Sequence, residues 1–269
     1  MHNNFSLDTL AAALAYAMKV DPPKCAAAAN ADLVKYIDEK LGDVAADRVF
    51  MYNPDAIAEW VYRKYPSLMA EVCKNCDIEL PMATVMPSVT PVCFGTMYTG
   101  AQPSVHGIQK YEKPVITIDT IFDVLLRAGK KPCLITYGKC SLSKIYLERN
   151  MDYFHFDEGG IDAVNAKAAE VILRDEHDFV VVYNGNYDST MHKTGTESVE
   201  ALGELRTNSR IFGMFSEMIK THWKAHNTLV GFAMDHGCHD IDSDAGSHGL
   251  DMDEDINIVH LYKIYPAEK

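Results

Sequence analysis

Three short segments rich in aspartate and histidine stand far apart in this chain. They are Asp188-Ser-Thr-Met-His192-Lys-Thr-Gly195, Met234-Asp235-His236-Gly237 and Gly246-Ser-His248-Gly249. Carboxylates and neutral imidazoles are ligands that Zn²⁺ and similar divalent ions prefer, and a hydroxyl or thiol can complete the set. Three short loops brought together by folding can therefore hold one or two divalent ions. The pattern points to a metal-dependent hydrolase.

A fourth segment, Pro87-Ser-Val-Thr90-Pro91-Val-Cys93, offers a candidate nucleophile. Pro91 suits the first position of a helix, which would make Thr90 its N-cap. A hydroxyl there lies beside free backbone N–H groups and the positive end of the helix dipole, where a phosphoryl oxygen is stabilised. Threonine is a poor nucleophile at neutral pH, and coordination to a metal ion can activate it. Taken alone, the segment would favour Thr90 as a simple helix cap.

The elements that must position these residues alternate between β-type and helical runs from about Arg48 onward. The alternation predicts an α/β fold with a mostly parallel β-sheet sandwiched between helices. Strands are predicted at residues 49–52, 132–136, 179–183, 229–233 and 256–262. Helices are predicted at residues 56–62, 120–127, 160–174 and about 198–224. Residues 1–45 read as a helical N-terminal extension, broken at residues 22–23 by two prolines, of a single domain over residues 1–269.

Several candidate ligands directly follow predicted strands. Asp55 comes after strand 49–52, Asp188 after strand 179–183, and Asp235 and His236 after strand 229–233. Ligands of open α/β sheets bind at the carboxyl ends of the strands, so we expect these side chains to point into one crevice. A single aspartate in such a place could equally cap the next helix. Its recurrence together with histidines favours metal ligands.

Charge and composition exclude some classes of partner. The chain has 25 basic and 38 acidic residues, a formal net charge of −13, which argues against nucleic-acid binding through a basic surface. An acidic protein that handles phosphate needs local positive charge, which bound metal ions supply. No apolar run approaches the roughly 20 residues of a membrane helix. The start of the chain lacks the basic flank of a signal peptide, and the seven cysteines are irregularly spaced, so we expect a cytoplasmic protein.

The segment from Thr90 through Thr99-Gly100 to His106-Gly107-Ile108 resembles the nucleophile segment of the nucleotide pyrophosphatase/phosphodiesterase branch of the alkaline phosphatase superfamily. In that branch a nucleophilic threonine stands nine residues before a Thr-Gly that leads into Pro-x-x-His-Gly-Ile. The aspartate- and histidine-rich segments match the remaining metal-binding motifs of the family in chain order. The resemblance covers about residues 48–262 and implies an alkaline phosphatase-like core with type I phosphodiesterase-like activity.

The resemblance also implies a two-metal site, most readily for Zn²⁺, with Mn²⁺ as the alternative. One ion, which binds the incoming water, would be held by Asp188, His192 and His248. The other, which activates the nucleophile Thr90, would be held by Asp55, Thr90, Asp235 and His236. His106 is interpreted as a structural turn residue.

Two departures from the family pattern bear on these assignments. The family usually has Asp-Gly just after the first strand, whereas this chain has Asn53-Pro54-Asp55-Ala56, so Asn53 competes with Asp55 as a ligand. Pro54 biases Asn53 towards an extended conformation, which leaves Asp55 as the first residue free to turn. Cys93 stands where many phosphodiesterases have an asparagine that donates to a phosphoryl oxygen, and a thiol is a weaker donor.

These observations predict a hydrolase that acts on phosphoric-ester or phosphoanhydride bonds of a small phosphorylated substrate, such as a nucleotide. Thr90 would attack phosphorus and form a covalent intermediate, and water would release it. A phosphomonoesterase and a metal-dependent phosphotransferase or phosphomutase are the enzymatic alternatives. A non-catalytic metal-binding protein is the alternative outside enzymes.

Overall fold

The computed structural model describes residues 1–242 and 245–268, which form an eight-stranded sheet and a separate two-stranded hairpin. The strands, in chain order, are β1 (Phe5–Ser6), β2 (Arg48–Pro54), β3 (Ile78–Ala83), β4 (Pro132–Tyr137), β5 (Asp152–Phe156), β6 (Phe179–Asn184), β7 (Thr228–Ala233), β8 (His239–Asp242), β9 (Ala245–Ser247) and β10 (Asn257–Tyr265). The large sheet has the order β1-β3-β10-β7-β2-β6-β4-β5, and β8 pairs with β9.

The large sheet is mostly parallel, as predicted. Only β10 runs antiparallel to its two neighbours, β3 and β7, among the strands described. All the other neighbouring strands of this sheet are parallel: β1 with β3, β7 with β2, β2 with β6, β6 with β4, and β4 with β5. Because parallel neighbours end at the same edge, the carboxyl ends of β7, β2 and β6 lie side by side at the centre of the sheet.

Helices connect the strands. In chain order they are α1 (Leu10–Ala17), α2 (Ala31–Leu41), α3 (Glu59–Lys64), α4 (Ala70–Lys74), α5 (Thr90–Thr99), α6 (Pro103–His106), α7 (Ile121–Arg127), α8 (Leu142–Ile145), α9 (Gly160–Arg174), α10 (Asn186–Thr194), α11 (Val199–His222) and α12 (Asp253–Ile256). Within the described residues, no helix combines the length and apolarity that a membrane crossing requires.

The central strands are buried on both faces. Every residue of β6 and of β7 is buried, as is β2 from Val49 onward. Such strands need apolar side chains on both faces, which is why β6 has the continuous sequence Phe-Val-Val-Val-Tyr. The aromatic rings of Tyr52, Phe212 and Phe232 pack between β2, β7 and α11. This packing makes the sheet a rigid base for the loops at its carboxyl edge.

The N-terminal segment differs from the predicted helical extension in two ways. Phe5–Ser6 forms β1 and pairs in parallel with β3, so the segment also adds an edge strand. The first helix is also buried almost all round, from Leu10 to Ala15, and so belongs to the core of the domain. Its sequence, Leu-Ala-Ala-Ala-Leu-Ala, contains no polar residue that could form a solvent-facing side.

Candidate metal centre

The candidate ligands reach the carboxyl edge of the sheet from three adjacent strands, from one hairpin and, for Thr90, from the start of α5. Asp55 follows β2, Asp235 follows β7, and Asp188 stands in the first turn of α10, directly after β6. His248 follows β9 of the small hairpin. The structure thus brings together all seven predicted ligands, although they span almost 200 positions of the sequence.

One cluster is fully buried and contains Asp55, Asp235 and His236. The Nε2 atom of His236 lies 3.3 Å from Oδ1 of Asp55 and 3.4 Å from Oδ2 of Asp235. The hydroxyl oxygen of Thr90 lies 3.4 Å from Oδ2 of Asp55 and 3.4 Å from Nε2 of His236. Oxygen and nitrogen donors therefore converge on a common point beside the hydroxyl.

A second cluster is partly open to solvent and contains Asp188, His192 and His248. Oδ1 of Asp188 lies 3.2 Å from Nε2 of His192 and 3.3 Å from Nε2 of His248. The two Nε2 atoms are 3.2 Å apart. The ring of His248 also stacks on that of His236, with 4.1 Å between centroids. The two clusters are therefore neighbours, with His248 between them.

Backbone carbonyls fix the orientation of all three imidazoles. Nδ1 of His192 bonds the carbonyl of Gly246, Nδ1 of His236 that of Gly237, and Nδ1 of His248 that of Ser88, each at 2.9 Å. A carbonyl only accepts, so each Nδ1 must carry the proton. Each Nε2, turned to the centre, is then free to bind a cation or to take up a proton.

The carboxylates show the same preference for a cation. The oxygens Asp55 Oδ1, Asp188 Oδ1 and Asp235 Oδ2 are buried and have no hydrogen-bond partner among the described residues. These are the oxygens that face the Nε2 atoms of the histidines. Buried charged oxygens normally find a donor or a metal ion. Both donor sets suit Zn²⁺ or Mn²⁺. One cluster offers one aspartate and two histidines, and the other offers two aspartates, one histidine and a hydroxyl.

When no ion is bound, the negative charge of the centre draws in protons. Burial and the neighbouring Asp55 raise the pKa of Asp235 well above its usual range. Burial would lower the pKa of His236, but the charges of Asp235 and Asp55 outweigh it and raise that pKa to about 10. The Asp188 carboxylate, whose Oδ1 lies 3.2 Å from Nε2 of His192, raises the pKa of that histidine. Both clusters therefore have the electrostatics of a cation site.

Thr90 begins α5, one residue earlier than predicted. The N-cap is Val89, in an extended conformation, with Thr90 and Pro91 as the first two helical residues. The Thr90 hydroxyl therefore faces Asp55 and His236 instead of capping the helix. It lies at a helix N-terminus, where the helix dipole favours negative charge beside it.

Asn53 lies close in sequence but points away from the two clusters. Its amide nitrogen donates to the carbonyl of Ala233 at 2.8 Å, and its oxygen accepts from the hydroxyl of Tyr98 at 2.5 Å. Asp55 is directed into the centre, because β2 continues to Pro54 and the chain then turns at Ala56 with a φ of 62°. That left-handed turn stands where the family has glycine.

Cys93 and His106 also point away from the clusters. The Cys93 thiol lies 3.1 Å from the Thr84 hydroxyl inside the core, and burial raises the pKa of the thiol. His106 is buried, packs against Gly95, and its Nε2 contacts the Thr96 hydroxyl at 3.0 Å. Its Nδ1 accepts a hydrogen bond from the backbone N–H of Ile108 at 3.3 Å, which agrees with the interpretation of His106 as a structural turn residue.

Other contacts of the centre were not foreseen. The Tyr183 hydroxyl donates to Oδ2 of Asp55, and the Thr84 hydroxyl donates to the carbonyl of Asp235 at 2.6 Å. The ligand segment of Asp188 and His192 is a helix, not a loop, so the two residues are one turn apart on one face. Tyr183 ends a buried strand and looks like any core aromatic, so its sequence carries no sign of this contact.

Comparison with known proteins identifies the fold. No protein-family model and no curated protein matches the sequence. Murine ectonucleotide pyrophosphatase/phosphodiesterase 5 has a similar structure, with a TM-score of 0.58 and 16% identity over 72% of this chain and 58% of that chain. The human protein gives a TM-score of 0.58 and 15% identity over the same shares. A third similar structure is the murine protein as an inactive threonine-to-alanine variant in complex with AMP, at 16% identity over 73% of this chain.

The chain therefore shares the fold of the ectonucleotide pyrophosphatases/phosphodiesterases, the branch whose motifs the sequence resembles. It covers about 58% of the length of the structures that it matches.

Proposed function

We propose that this protein is a metal-dependent hydrolase of phosphoric esters, with Thr90 as nucleophile and two divalent ions as cofactors. The proposal is carried by one observation: three buried carboxylate oxygens, without a hydrogen bond among the described residues, face histidine Nε2 atoms at 3.2–3.4 Å, and one of those Nε2 atoms also contacts the Thr90 hydroxyl. A structural role would pair such oxygens with donors, since leaving them unpaired costs stability.

The two clusters would each hold one ion. Asp188, His192 and His248 would hold the solvent-facing ion, and Asp55, Asp235, His236 and Thr90 the buried one. Zn²⁺ suits both sets, and Mn²⁺ is the alternative. Such ions, when bound, neutralise the charge that develops on phosphoryl oxygens and lower the pKa of a coordinated hydroxyl.

Thr90 would act in the first step by attacking phosphorus in line with the leaving group. A bond forms between its Oγ1 and phosphorus, and the bond from phosphorus to the leaving-group oxygen breaks. Oδ2 of Asp55, 3.4 Å from the hydroxyl, would accept the proton that Thr90 loses. The helix N-terminus at Thr90 would favour the negative charge of the phosphoryl group.

In the second step water would attack phosphorus and form a bond to it, the bond from phosphorus to Thr90 Oγ1 would break, and Oγ1 would regain a proton. The water would approach from the solvent-facing cluster, where the His192 side chain is 39% exposed and that of Asp188 is 19% exposed. This accessibility favours water as the acceptor over a second substrate, and thus a hydrolase over a phosphotransferase or phosphomutase. The Asp55 cluster, by contrast, is fully buried and suits the activation of a fixed nucleophile.

A nucleotide-type diester or pyrophosphate is the substrate class that the similar structures support. One of them, an inactive threonine-to-alanine variant, contains AMP. Thr90 has the corresponding residue type at the helix start, and a nucleoside monophosphate would fit a phosphoryl site there. Cys93, whose thiol is directed into the core, cannot supply the donor that asparagine offers in many phosphodiesterases. On the likeness to those structures we propose diesterase or pyrophosphatase activity, and the departure at Cys93 leaves phosphomonoesterase activity as the alternative.

Release of nitrophenol from aryl phosphate diesters and monoesters tests this function, with zinc content measured on the same samples. Thr90→Ala should keep the fold and at least one ion but lose most turnover, by at least about a hundredfold, because the covalent route is closed. Thr90→Ser should retain part of the activity, since it keeps a hydroxyl.

Preference for the diester would support the phosphodiesterase assignment, and preference for the monoester would favour the alternative. Full turnover by Thr90→Ala would contradict the nucleophile. A zinc-loaded protein that cleaves neither ester would favour a non-catalytic metal-binding protein.

A further inference from the structure

Asp255, a buried residue outside the two clusters, accepts hydrogen bonds from two ligand-bearing loops, one with its carboxylate and one with its backbone carbonyl. Its side chain is 0% exposed. Oδ2 accepts the N–H of Leu250 at 2.8 Å, and Leu250 stands two residues after His248. Its backbone carbonyl accepts the N–H of Gly237 at 2.8 Å, and Gly237 directly follows His236. One residue therefore contacts the loop of each histidine.

His239 extends this contact to the small hairpin. Its Nδ1 donates to Oδ1 of Asp255 at 2.7 Å. His239 begins β8 and pairs with Ser247 of β9, the residue directly before His248. The Asp255 carboxylate is thus bonded to β8 through His239 and to the turn after β9 through Leu250. Both bonds act on the hairpin that presents His248.

The backbone beside Asp255 is packed tightly against the other histidine loop. A Cβ atom at Gly237 would lie 2.0 Å from the carbonyl oxygen of Glu254, so the two segments are in direct contact there. The same carbonyl accepts the N–H of Cys238 at 3.1 Å. This contact fixes Asp255 relative to His236. The hydrogen bonds of the Asp255 carboxylate then fix the segment of His248 relative to His236 as well.

We propose that Asp255, together with His239, is a positioning residue that sets the spacing between the two halves of the metal centre. The inference rests on the proposed function, since it requires both clusters to bind ions. His248 stands 3.2 Å from Nε2 of His192 and stacks on His236, so its displacement disturbs the solvent-facing set first. Outer contacts that orient metal ligands change affinity by about 10–100-fold when they are removed.

Zinc affinity, measured by competition with a chromophoric chelator, tests the inference. Asp255→Asn keeps the size of the side chain but removes its charge and replaces one acceptor oxygen by NH₂, so only one of the two bonds, to Leu250 N–H or to His239 Nδ1, keeps an acceptor oxygen. The parent should bind two ions. The variant should keep the buried ion and bind the solvent-facing one at least about tenfold more weakly. Asp251→Asn is the matched control, because the Asp251 side chain is 72% exposed in the same segment, and it should bind both ions like the parent.

Substitutions of His239 test the same contact from the other side. His239→Asn retains a side-chain N–H near the position of Nδ1 and should keep both affinities, whereas His239→Ala should weaken the solvent-facing ion like Asp255→Asn. Thermal unfolding in chelator separates positioning from stability. A merely structural role would lower the melting temperature of Asp255→Asn and His239→Ala without changing the zinc affinity of the folded protein.

The outcomes distinguish the two proposals. A parent that binds two ions, with Asp255→Asn at the same two affinities, would overturn this inference alone. A parent that binds no zinc would overturn the proposed function and this inference with it. If Asp255→Asn does not fold, equal affinities of His239→Ala and His239→Asn would overturn the inference in its place.

Discussion

Asp55 and Asn53 make different contacts at the end of β2, although only Pro54 separates them. Residues two apart in a strand share a face, but β2 ends at Pro54 and the chain turns at Ala56, so Asp55 does not follow the direction of Asn53. The side-chain amide of Asn53 donates to the carbonyl of Ala233 and accepts from the hydroxyl of Tyr98. Asp55 enters the buried cluster with one oxygen unpaired among the described residues. We therefore propose Asp55 as the ligand.

Alanine substitution should separate the two residues. Asp55→Ala should weaken the buried zinc site and cut activity by at least about a hundredfold, since a charged ligand is lost. Asn53→Ala should keep both ions and destabilise the fold by about 1–3 kcal/mol, because it leaves buried groups unpaired. Metal titration and denaturant unfolding of both variants provide the measurement. Stronger loss of zinc in Asn53→Ala than in Asp55→Ala would contradict the assignment.

Zinc binding should depend on pH through His236. In the metal-free protein the pKa of His236 is about 10, above the value of about 6.5 for a histidine in an unfolded chain. Protonation of His236 therefore stabilises the fold, fully so below a pH of about 6.5. This stabilisation is lost as the pH rises through about 10. Zinc requires the neutral Nε2 and must displace that proton. Zinc affinity should therefore rise with pH between about 6.5 and 8.5, by up to about tenfold per unit for each proton.

Calorimetry in buffers of different ionisation enthalpy measures the protons released. His236→Gln should release fewer protons than the parent. Zinc affinity that does not change with pH, with no proton release, would contradict the electrostatics described for the buried cluster.

At the scale of elements, sequence patterns predicted the helices and strands with strong apolar signals. The helix at residues 160–174 has the predicted bounds, and the runs around β6 and β7 are strands as expected. The segment of α10 was predicted as a loop because Asn-Tyr-Asp-Ser-Thr-Met-His-Lys-Thr is mostly polar. Only Tyr187 and Met191 of that helix are buried, too few to give a helical period in the sequence.

The strands β3 and β5 were missed for related reasons. β3 contains Pro81 and has exposed Glu79, features that usually argue against a strand. β5, Asp152–Phe156, is the edge strand of the sheet and none of its residues is fully buried. Edge strands lack the continuous apolar runs by which central parallel strands are recognised.

The contact between β9 and α10 predicts the effect of a single methyl group. A Cβ atom at Gly246 would lie 2.5 Å from the sulfur and 3.0 Å from the carbonyl oxygen of Met191. Gly246→Ala should therefore push β9 away from α10, separate His248 from His192, and weaken the solvent-facing zinc by about tenfold or more. Gly203→Ala is the control, because the structure shows open space at Gly203 in α11.

Zinc titration and thermal unfolding of the two variants provide the measurement. Gly203→Ala should bind zinc like the parent and gain about 0.5–1 kcal/mol from helix propensity. Zinc affinity of Gly246→Ala equal to that of the parent would show that the packing of β9 on α10 does not set the spacing of the ligands.

At the scale of the whole molecule, the fold explains why distant motifs make one site. The order β7-β2-β6 places three ligand-bearing strand ends side by side, while β10 is inserted between β7 and β3. Short motifs predicted which residues gather, because parallel strands end at one edge. They could not predict the strand order or the backbone carbonyls that orient the histidines, since a carbonyl group is common to every residue. The net charge of the molecule is −13, so bound cations would also be required to offset its repulsion of a negatively charged phosphate.

Anomalous diffraction at the zinc edge, from crystals of zinc-loaded protein, tests the central claim most directly. We expect two peaks at the carboxyl edge of the sheet. One should be ligated by Asp188, His192 and His248, and the other by Asp55, Asp235, His236 and the hydroxyl of Thr90. Absence of ordered zinc from both clusters, or a buried ion that Thr90 does not contact, would contradict a two-metal centre built around a threonine nucleophile.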